Sequence, residues 1–425
     1  ASTDLYTTAA STQDDTVLTL GTVQSRAELP RETTARTIFS SVDVIGGDLL
    51  QSQKVEHSWE LLMQAPGVQV TQFKMGTDAG RFSFRGFNGE GRINAVKLLI
   101  DGVPSNDNAG GMPYLDAVFP LDITAMEIVR GTNDARHGLH AVAGNVNVIT
   151  RQGGNDGQLS VTGGSFGTRD VQLAKGIERG AWAQNYFIGW RHSDGERDHA
   201  DATQRNFSGK WFYTDPDGRW RGGLTSRYYR NDALEAGYLS HADINANPRQ
   251  SPPYAKDDRS ERRTLQTALH ADGTLGTHGA WNAKAYQNDY RNQRWVTFAA
   301  GGAQQERFND ETHRGVLLTT TWRPETALTE FVVDAGVDGQ WQHNVARRFR
   351  TVQRQRQATL RDWDFDLDTQ GAYVQAVIRP LPALKLVPAY RVDRVDGPRD
   401  GSGRLVLVGD GSQHWGVVHV DDLAV

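Results

Sequence analysis

The chain has no cysteine among its 425 residues. A disulfide framework, a thiolate nucleophile and a sulfur-ligated metal site are therefore excluded. An excess of positive charge is also missing. With 46 basic against 51 acidic side chains and a net charge of −5, there is no electrostatic basis for a nucleic-acid partner. Nowhere do about 18 apolar residues follow one another, which excludes a helical membrane span. The densest apolar patch is only 95–100. A β-barrel span stays open, because strands that alternate lipid-facing and lumen-facing residues keep the mean hydropathy low, here −0.57. The first residues, 1–12, lack the charged and apolar regions of a signal peptide, and their small-residue composition fits a mature exported chain. No catalytic triad, P-loop or paired-carboxylate pattern is present, and His137 with His140, a metal-like spacing, stands in a Gly-flanked turn. Neither an enzyme nor a resident cofactor or metal is expected.

What is present divides the chain into regions. Residues 1–29 read as a mobile, polar arm with one β-prone stretch, Asp15, Thr16, Val17, Leu18, Thr19 and Leu20. Residues 30–152 read as a small mixed α/β domain. A strand near Val42 leads to a helix opened by Gly46-Gly47-Asp48, and a second helix carrying Trp59, Leu61, Leu62 and Met63 ends at Pro66-Gly67. Short strands are predicted over 68–73, 82–85, 95–100, 125–130 and 145–150. Residues 153–396 change character, and ten of the 11 Trp follow residue 153, which suggests a different solvent.

In this third region, segments alternate on a period of two. Phe331, Val333, Ala335, Val337, Gly339 and Trp341 form one face, while Val332, Asp334, Gly336, Asp338 and Gln340 form the other. A slip of one residue would place carboxylates in lipid. Connections are short on one side, as at 177–180, 215–218, 272–278, 323–327 and 379–383. They are mostly long on the other, at 192–203, 232–260, 292–312 and 343–364. Short turns on one rim and long loops on the other fit an outer-membrane barrel.

The ordered set Ser83-Phe84-Arg85-Gly86-Phe87, Val96-Lys97-Leu98-Leu99-Ile100-Asp101-Gly102-Val103-Pro104, Glu127-Ile128-Val129-Arg130-Gly131 and Ala143-Gly144-Asn145-Val146-Asn147-Val148-Ile149-Thr150 resembles the plug signatures of the TonB-dependent outer-membrane receptors. Gly163-Gly164-Ser165-Phe166-Gly167-Thr168 is similar to that family's first barrel hairpin. The resemblance implies a β-barrel in the bacterial outer membrane with residues 30–152 as a plug in its lumen. It also implies a TonB energy-transducing partner, which pairs with an arm segment called the TonB box by strand addition. Asp15, Thr16, Val17, Leu18, Thr19 and Leu20 occupy the matching place. The implied cargo is a ferric siderophore. Haem, cobalamin or a glycan, or passive binding without import, are the alternatives.

By the same resemblance, Arg85-Gly86 and Arg130-Gly131 lock the plug, with lumen-facing Asp334 and Asp338 as partners for the arginines. The apical loops 71–78, 88–92 and 105–114 meet the ligand. Lys74, Arg92, Asn106, Asn108 and Tyr114 are the expected contacts, since cationic and amide donors suit an anionic iron chelate and a tyrosine edge suits an aromatic one.

Two departures from the family are expected. Its members have a 22-stranded barrel, whereas residues 153–394 hold about 11 strands, half a wall, which would leave unpaired edge groups in lipid. Residues 397–425 depart from the barrel rhythm. Residues 408–424 resemble a nucleotide-sugar epimerase segment without that family's other signatures, so this tail is expected to be foreign to the receptor.

Overall fold

The computed structural model describes residues 17–20, 41–46, 49, 52–53, 55, 57–84, 87, 95–131, 134–381 and 383–398. The tail from 399 onward, most of the arm and the loop 88–92 lie outside the described residues.

The N-terminal domain is built on a six-stranded sheet. Its strands are β1 (Val17–Leu20), β2 (Ser41–Gly46), β5 (Val96–Ile100), β6 (Val103–Pro104), β7 (Ile123–Arg130) and β8 (Gly144–Thr150), ordered β1-β2-β7-β8-β5-β6. A separate hairpin joins β3 (Val68–Met75) to β4 (Asp78–Phe84). The predicted strands all appear. Of the first predicted helix, Leu49 and Ser52 are described, both helical. The second is a 3-10 helix, Ser58–Gln64, rather than an α-helix. Its geometry eclipses residues three apart, which stacks Trp59 over Leu62 on one buried face. These two pack with Ile45, Phe84, Leu98, Met126 and Ile128 into one apolar core. The part of the arm that is described is a docked strand: β1 lies on the sheet edge, parallel to β2, from Val17 opposite Val42 to Leu20 opposite Ile45.

The wall runs through β9 (Gly157–Gly163), β10 (Arg169–Arg179), β11 (Trp182–Ser193), β12 (Ala202–Thr214), β13 (Trp220–Leu234), β14 (Arg259–Leu275), β15 (Gly279–Val296), β16 (Gln304–Trp322), β17 (Glu330–Val352) and β18 (Gln355–Leu381). Two short pieces, β19 (Leu384–Leu386) and β20 (Ala389–Asp396), both pair with β18 and share one position. Eleven positions result, all antiparallel to their neighbours, with β9 and β20 at the edges among the described residues.

The predicted register holds. Val337 and Trp341 are 53% and 43% exposed on the outer face, whereas Asp334 and Gln342 on the inner face are 7% and 3% exposed. The outer apolar face continues across the register pairs Leu159–Leu173–Ile188–Phe207–Tyr228. At the short-turn rim it meets a belt of aromatic rings, with centroids 5.1 Å apart for Trp182 and Tyr213, 5.5 Å for Tyr213 and Trp220, and 6.3 Å for Trp322 and Phe331. Rings at this level suit a membrane–water boundary.

Two predicted long loops are instead strand. Residues 343–364 form a ladder that turns over in two residues, Gln353 and Arg354, both with left-handed backbone at φ 48° and 65°. Likewise, most of 292–312 belongs to β15 and β16. On β17 polar side chains stand on both faces, His343 and Arg347 on the outer parity and Asn344 and Arg348 on the inner, so no hydrophobic alternation marks this stretch. Main-chain pairing does not need that alternation, and beyond the membrane either face can meet water. The connection from β13 to β14 is a true excursion and contains a helix, α1 (His241–Ala246), started by a reciprocal cap between Ser240 and Asp243.

Candidate functional site

The N-terminal domain packs against the inner face of the wall, and buried charged side chains gather at the junction between them. On the inner face of β12, Lys210 is 1% exposed, and β13 places Arg227 beside it. The Lys210 ammonium lies 3.0 Å from Asp122 and donates to Thr150 Oγ1 at 2.5 Å and to the Arg151 carbonyl at 2.6 Å. Arg227 lies 3.5 Å from Asp101 and 3.7 Å from Asp122. Two cations of the wall thus face two carboxylates of the inner domain.

Local chain geometry explains the placement of Asp101. It opens the β5–β6 turn with Gly102, at φ 52° and 75°, the doubly left-handed turn for which Asp-Gly is suited. There it accepts hydrogen bonds from the Thr150 amide at 2.8 Å and hydroxyl at 2.7 Å. Burial pushes the Asp101 carboxyl up, but Lys210, Arg227 and the two Thr150 bonds outweigh it and hold the group below the usual range.

A second set of contacts lies on the long-connection side. Gly76, at φ 60°, brings the β3–β4 turn against Glu235 and Ser260, where any Cβ would collide. The Thr77 amide donates to Ser260 Oγ at 2.9 Å. Asp116 pairs with Arg262 of β14 at 2.9 Å. The Asn108 amide donates to Glu311 at 3.0 Å, its side chain reaches Asn344 at 3.3 Å, and His313 lies 3.1 Å from Glu311. Beside them Asp107 folds its own loop, accepting from the Ala109 and Gly111 amides. Burial and the Glu311 carboxylate push Asp107 up to about 7.

The sequence profile described as TonB-dependent Receptor Plug Domain matches residues 34–145. These residues are a TonB-dependent receptor plug domain. Over 113 residues the chain is 30% identical to the vitamin B12 transporter BtuB of Vibrio vulnificus, a stretch of 27% of this chain and 18% of that protein. Over 119 residues it is 33% identical to a rhizobactin receptor of Rhizobium meliloti, covering 28% and 15%. The fold matches the unliganded ferric citrate transporter FecA with a TM-score of 0.73, at 20% identity over 86% of this chain and 58% of that one. It matches the pyoverdine receptor FpvA of Pseudomonas aeruginosa with a TM-score of 0.67, at 14% identity over 85% and 57%. The chain therefore spans little more than half the length of these solved structures. Plug and outward-apolar antiparallel wall together are the fold of an outer-membrane receptor.

The plug sits in the lumen as expected, but Arg130 does not pair with the wall carboxylates expected for it. Arg130 pairs with Asp43 at 2.6 Å and donates to the Pro66 carbonyl, both within the plug. Asp334 accepts from Thr321 at 2.6 Å, and Asp338 pairs with Arg391 of β20 at 2.8 Å. The wall carboxylates are thus occupied by the wall. Gly131 follows Arg130 with φ 141°, while Arg85 and Gly86 lie outside the described residues.

Of the expected ligand contacts, Asn106 is consumed by structure. Its side chain accepts from the Leu98 amide and donates to the Val96 and Gly110 carbonyls. Tyr114 is a core residue, 1% exposed, with its ring 6.5 Å from that of Tyr290. Asn108 faces the wall. Lys74 lies on β3 with its side chain outside the described part, and Arg92 is outside it altogether. The sequence reading missed Asp101, Asp122, Lys210 and Arg227. Lys210 carried a signal, as a lone charge on the inner-face parity of β12 between Ser208 and Phe212.

Proposed function

We propose that the chain acts as an energy-coupled receptor importing a ferric siderophore across the outer membrane. The observation that carries this reading is a plug domain seated in a membrane wall through buried ion pairs, a closure that is reversible in principle. The iron-chelate cargo draws support from the names of the matched proteins, the rhizobactin receptor and the ferric citrate transporter. A second reading, cobalamin import, is favoured by the match to the vitamin B12 transporter. In either case ligand arrives at the apical loops, where Lys74 and Arg92 supply positive charge and Asn108 links the loop to the wall.

Coupling to TonB is assigned to Asp15–Leu20. In the structure its described part is an edge strand with β2 on one side. A partner strand can add to the other side by main-chain hydrogen bonds, which need little side-chain specificity. The test is uptake of single labelled ferric chelates and of cobalamin, with and without the proton-motive force, in the intact receptor and in Val17→Pro. Proline removes a strand donor and fixes φ. Energy-dependent uptake of one ferric chelate, lost in Val17→Pro with surface binding retained, is expected. Uptake of cobalamin alone selects the second reading, and normal uptake by Val17→Pro overturns the coupling assignment.

A further inference from the structure

The wall carries a row of arginines on its outer face that plug and transport do not use. Arg205 on β12 lies directly opposite Arg230 on β13, Arg230 opposite Arg263 on β14, and Arg263 opposite Arg291 on β15. Four like charges thus stand side by side on adjacent strands, an arrangement that is destabilising for directly opposed pairs unless an anion or water relieves it. Their parity is that of Phe207, Tyr228 and Leu265, so they point away from the lumen. Those three residues, with Asp289 on β15, form the register row immediately below them, and Phe207 and Leu265 are exposed apolar side chains. The arginines are exposed as well.

The height of the row is informative. On β13 the aromatic rim begins at Trp220 and the row stands at Arg230, ten residues further along. At about 3.3 Å per residue and a strand tilt of about 40°, that is roughly 25 Å along the membrane normal, the height of one apolar band. The outward residues between them, Gly222, Leu224, Ser226 and Tyr228, carry no charge. The row therefore sits where the hydrocarbon ends and outer-leaflet headgroups begin.

Neighbouring carboxylates reach three of the four arginines. Asp232 is shared by Arg205 at 3.0 Å and Arg230 at 2.7 Å, and Glu261 lies 2.6 Å from Arg259 and 3.8 Å from Arg230. Asp310 pairs with Arg291. Asp289, one pair below, accepts from Gln287 and Thr312. Arg263, in the middle of the row, has no carboxylate partner among the described residues. A guanidinium presents a planar fork of donors that matches phosphate oxygens, and several side by side match a headgroup bearing more than one phosphate.

We propose that Arg205, Arg230, Arg263 and Arg291 form a docking site for the phosphorylated headgroup of an outer-leaflet lipid, whose acyl chains lie on the apolar face below. This goes beyond the transport reading, since it assigns a ligand to the outside of the wall. The commitment to a lipid rests on the continuity of the row with the acyl-facing surface, which a soluble phosphate would not use.

The test places the full receptor in phosphatidylcholine nanodiscs doped with bisphosphorylated lipid A or with the same lipid dephosphorylated, and measures the lipid retained per receptor by native mass spectrometry. A preference on the order of tenfold for the phosphorylated lipid is expected. It should be lost in Arg205→Gln/Arg230→Gln/Arg263→Gln/Arg291→Gln and kept in Arg347→Gln on the outer hairpin. Equal retention of the two lipids by the unmodified receptor overturns the proposal without any variant. So does an undiminished preference in the fourfold variant, or complete displacement of the lipid by inorganic phosphate. Should the fourfold variant not assemble, Arg263→Gln, which leaves no carboxylate unpaired, is measured instead. Partial loss is then expected, and full retention of the preference overturns the site.

Discussion

The plug's own core and its junction with the wall are held by different chemistry. The core is apolar and continuous, from Ile45 and Trp59 through Leu98 to Ile128 and Val146. The junction is mostly polar, built from Lys210, Arg227 and Arg262 of the wall with Asp101, Asp116, Asp122 and Asn108 of the plug. Apolar patches interrupt it, among them Phe119 with Phe187, Val103 with Ala268, Leu139 with Leu367 and the ring contact of Tyr114 with Tyr290. Opening an apolar contact exposes surface at about 25 cal/mol per Å², whereas a hydrogen bond to a partner can be exchanged for one to water at a net cost of about 1 kcal/mol. The difference teaches that the polar seat can be remade at a lower cost than the apolar core can be opened.

Mutations can break or sharpen this contrast. The largest effect is expected from Trp59→Ala, which empties the centre of the plug core and should cost about 3–5 kcal/mol, read as a fall in the plug's unfolding midpoint while the wall keeps its heat-resistant mobility on gels. Lys210→Met should come next. It leaves Asp101 and Asp122 facing one cation in a buried site, a loss of about 3–5 kcal/mol of seating rather than of folding, seen as new protease cleavage of the plug with its core intact. Adding Asp122→Leu should restore much of that loss, because a buried pair can be exchanged for apolar side chains. A double variant worse than the single would show that the junction, like the core, tolerates no substitution of kind.

A smaller and pH-dependent effect is expected at Asp107, which faces Glu311 and His313 across the junction. Its carboxyl is raised from 3.8 to about 7, so the seated loop binds a proton that the free loop releases. Seating of 105–114 is thus strongest in acid, weakens as the pH rises from about 4 to about 7 and then levels off. Hydrogen exchange corrected for intrinsic rates should show this slope, and Asp107→Asn, which retains an acceptor for the Ala109 and Gly111 amides, should flatten it. The smallest effect belongs to Arg347→Ala in the outer hairpin, where the exposed pair with Asp362 should be worth about 0–1 kcal/mol.

The limits of the sequence reading follow the same division. Alternation revealed the wall register at Val333–Trp341 because one face of a membrane strand has to be apolar. It failed at 343–364, where water bathes both faces and the ladder persists without a pattern. The motif residues of the plug were recognisable as a set, yet their partners were not. Arg130 and Asp43 are separated by most of the plug in sequence, and the pairing of Asp122 with Lys210 joins two regions that no local pattern connects. Loops rich in Asn and Asp were legible as a polar surface. That Asn106 holds its own loop and Tyr114 fills a core depends on which groups the folded chain brings opposite them.

The outer hairpin has a use as an instrument. Its ladder runs from the membrane wall to the turn at Gln353 and Arg354 with register shifts only near Arg348–Phe349 and Arg350–Thr351. With 23 residues in β17 and 27 in β18, the tip stands far from the rim yet is welded to it by continuous backbone pairing. A rigid spin label or fluorophore at the exposed turn therefore moves with the wall and reports its orientation as a clock hand reports the wheel beneath. A second label on α1, carried by a connection outside the ladder, reports local motion added to that of the wall, and the difference between the two signals separates tilting of the wall from rearrangement of its loops.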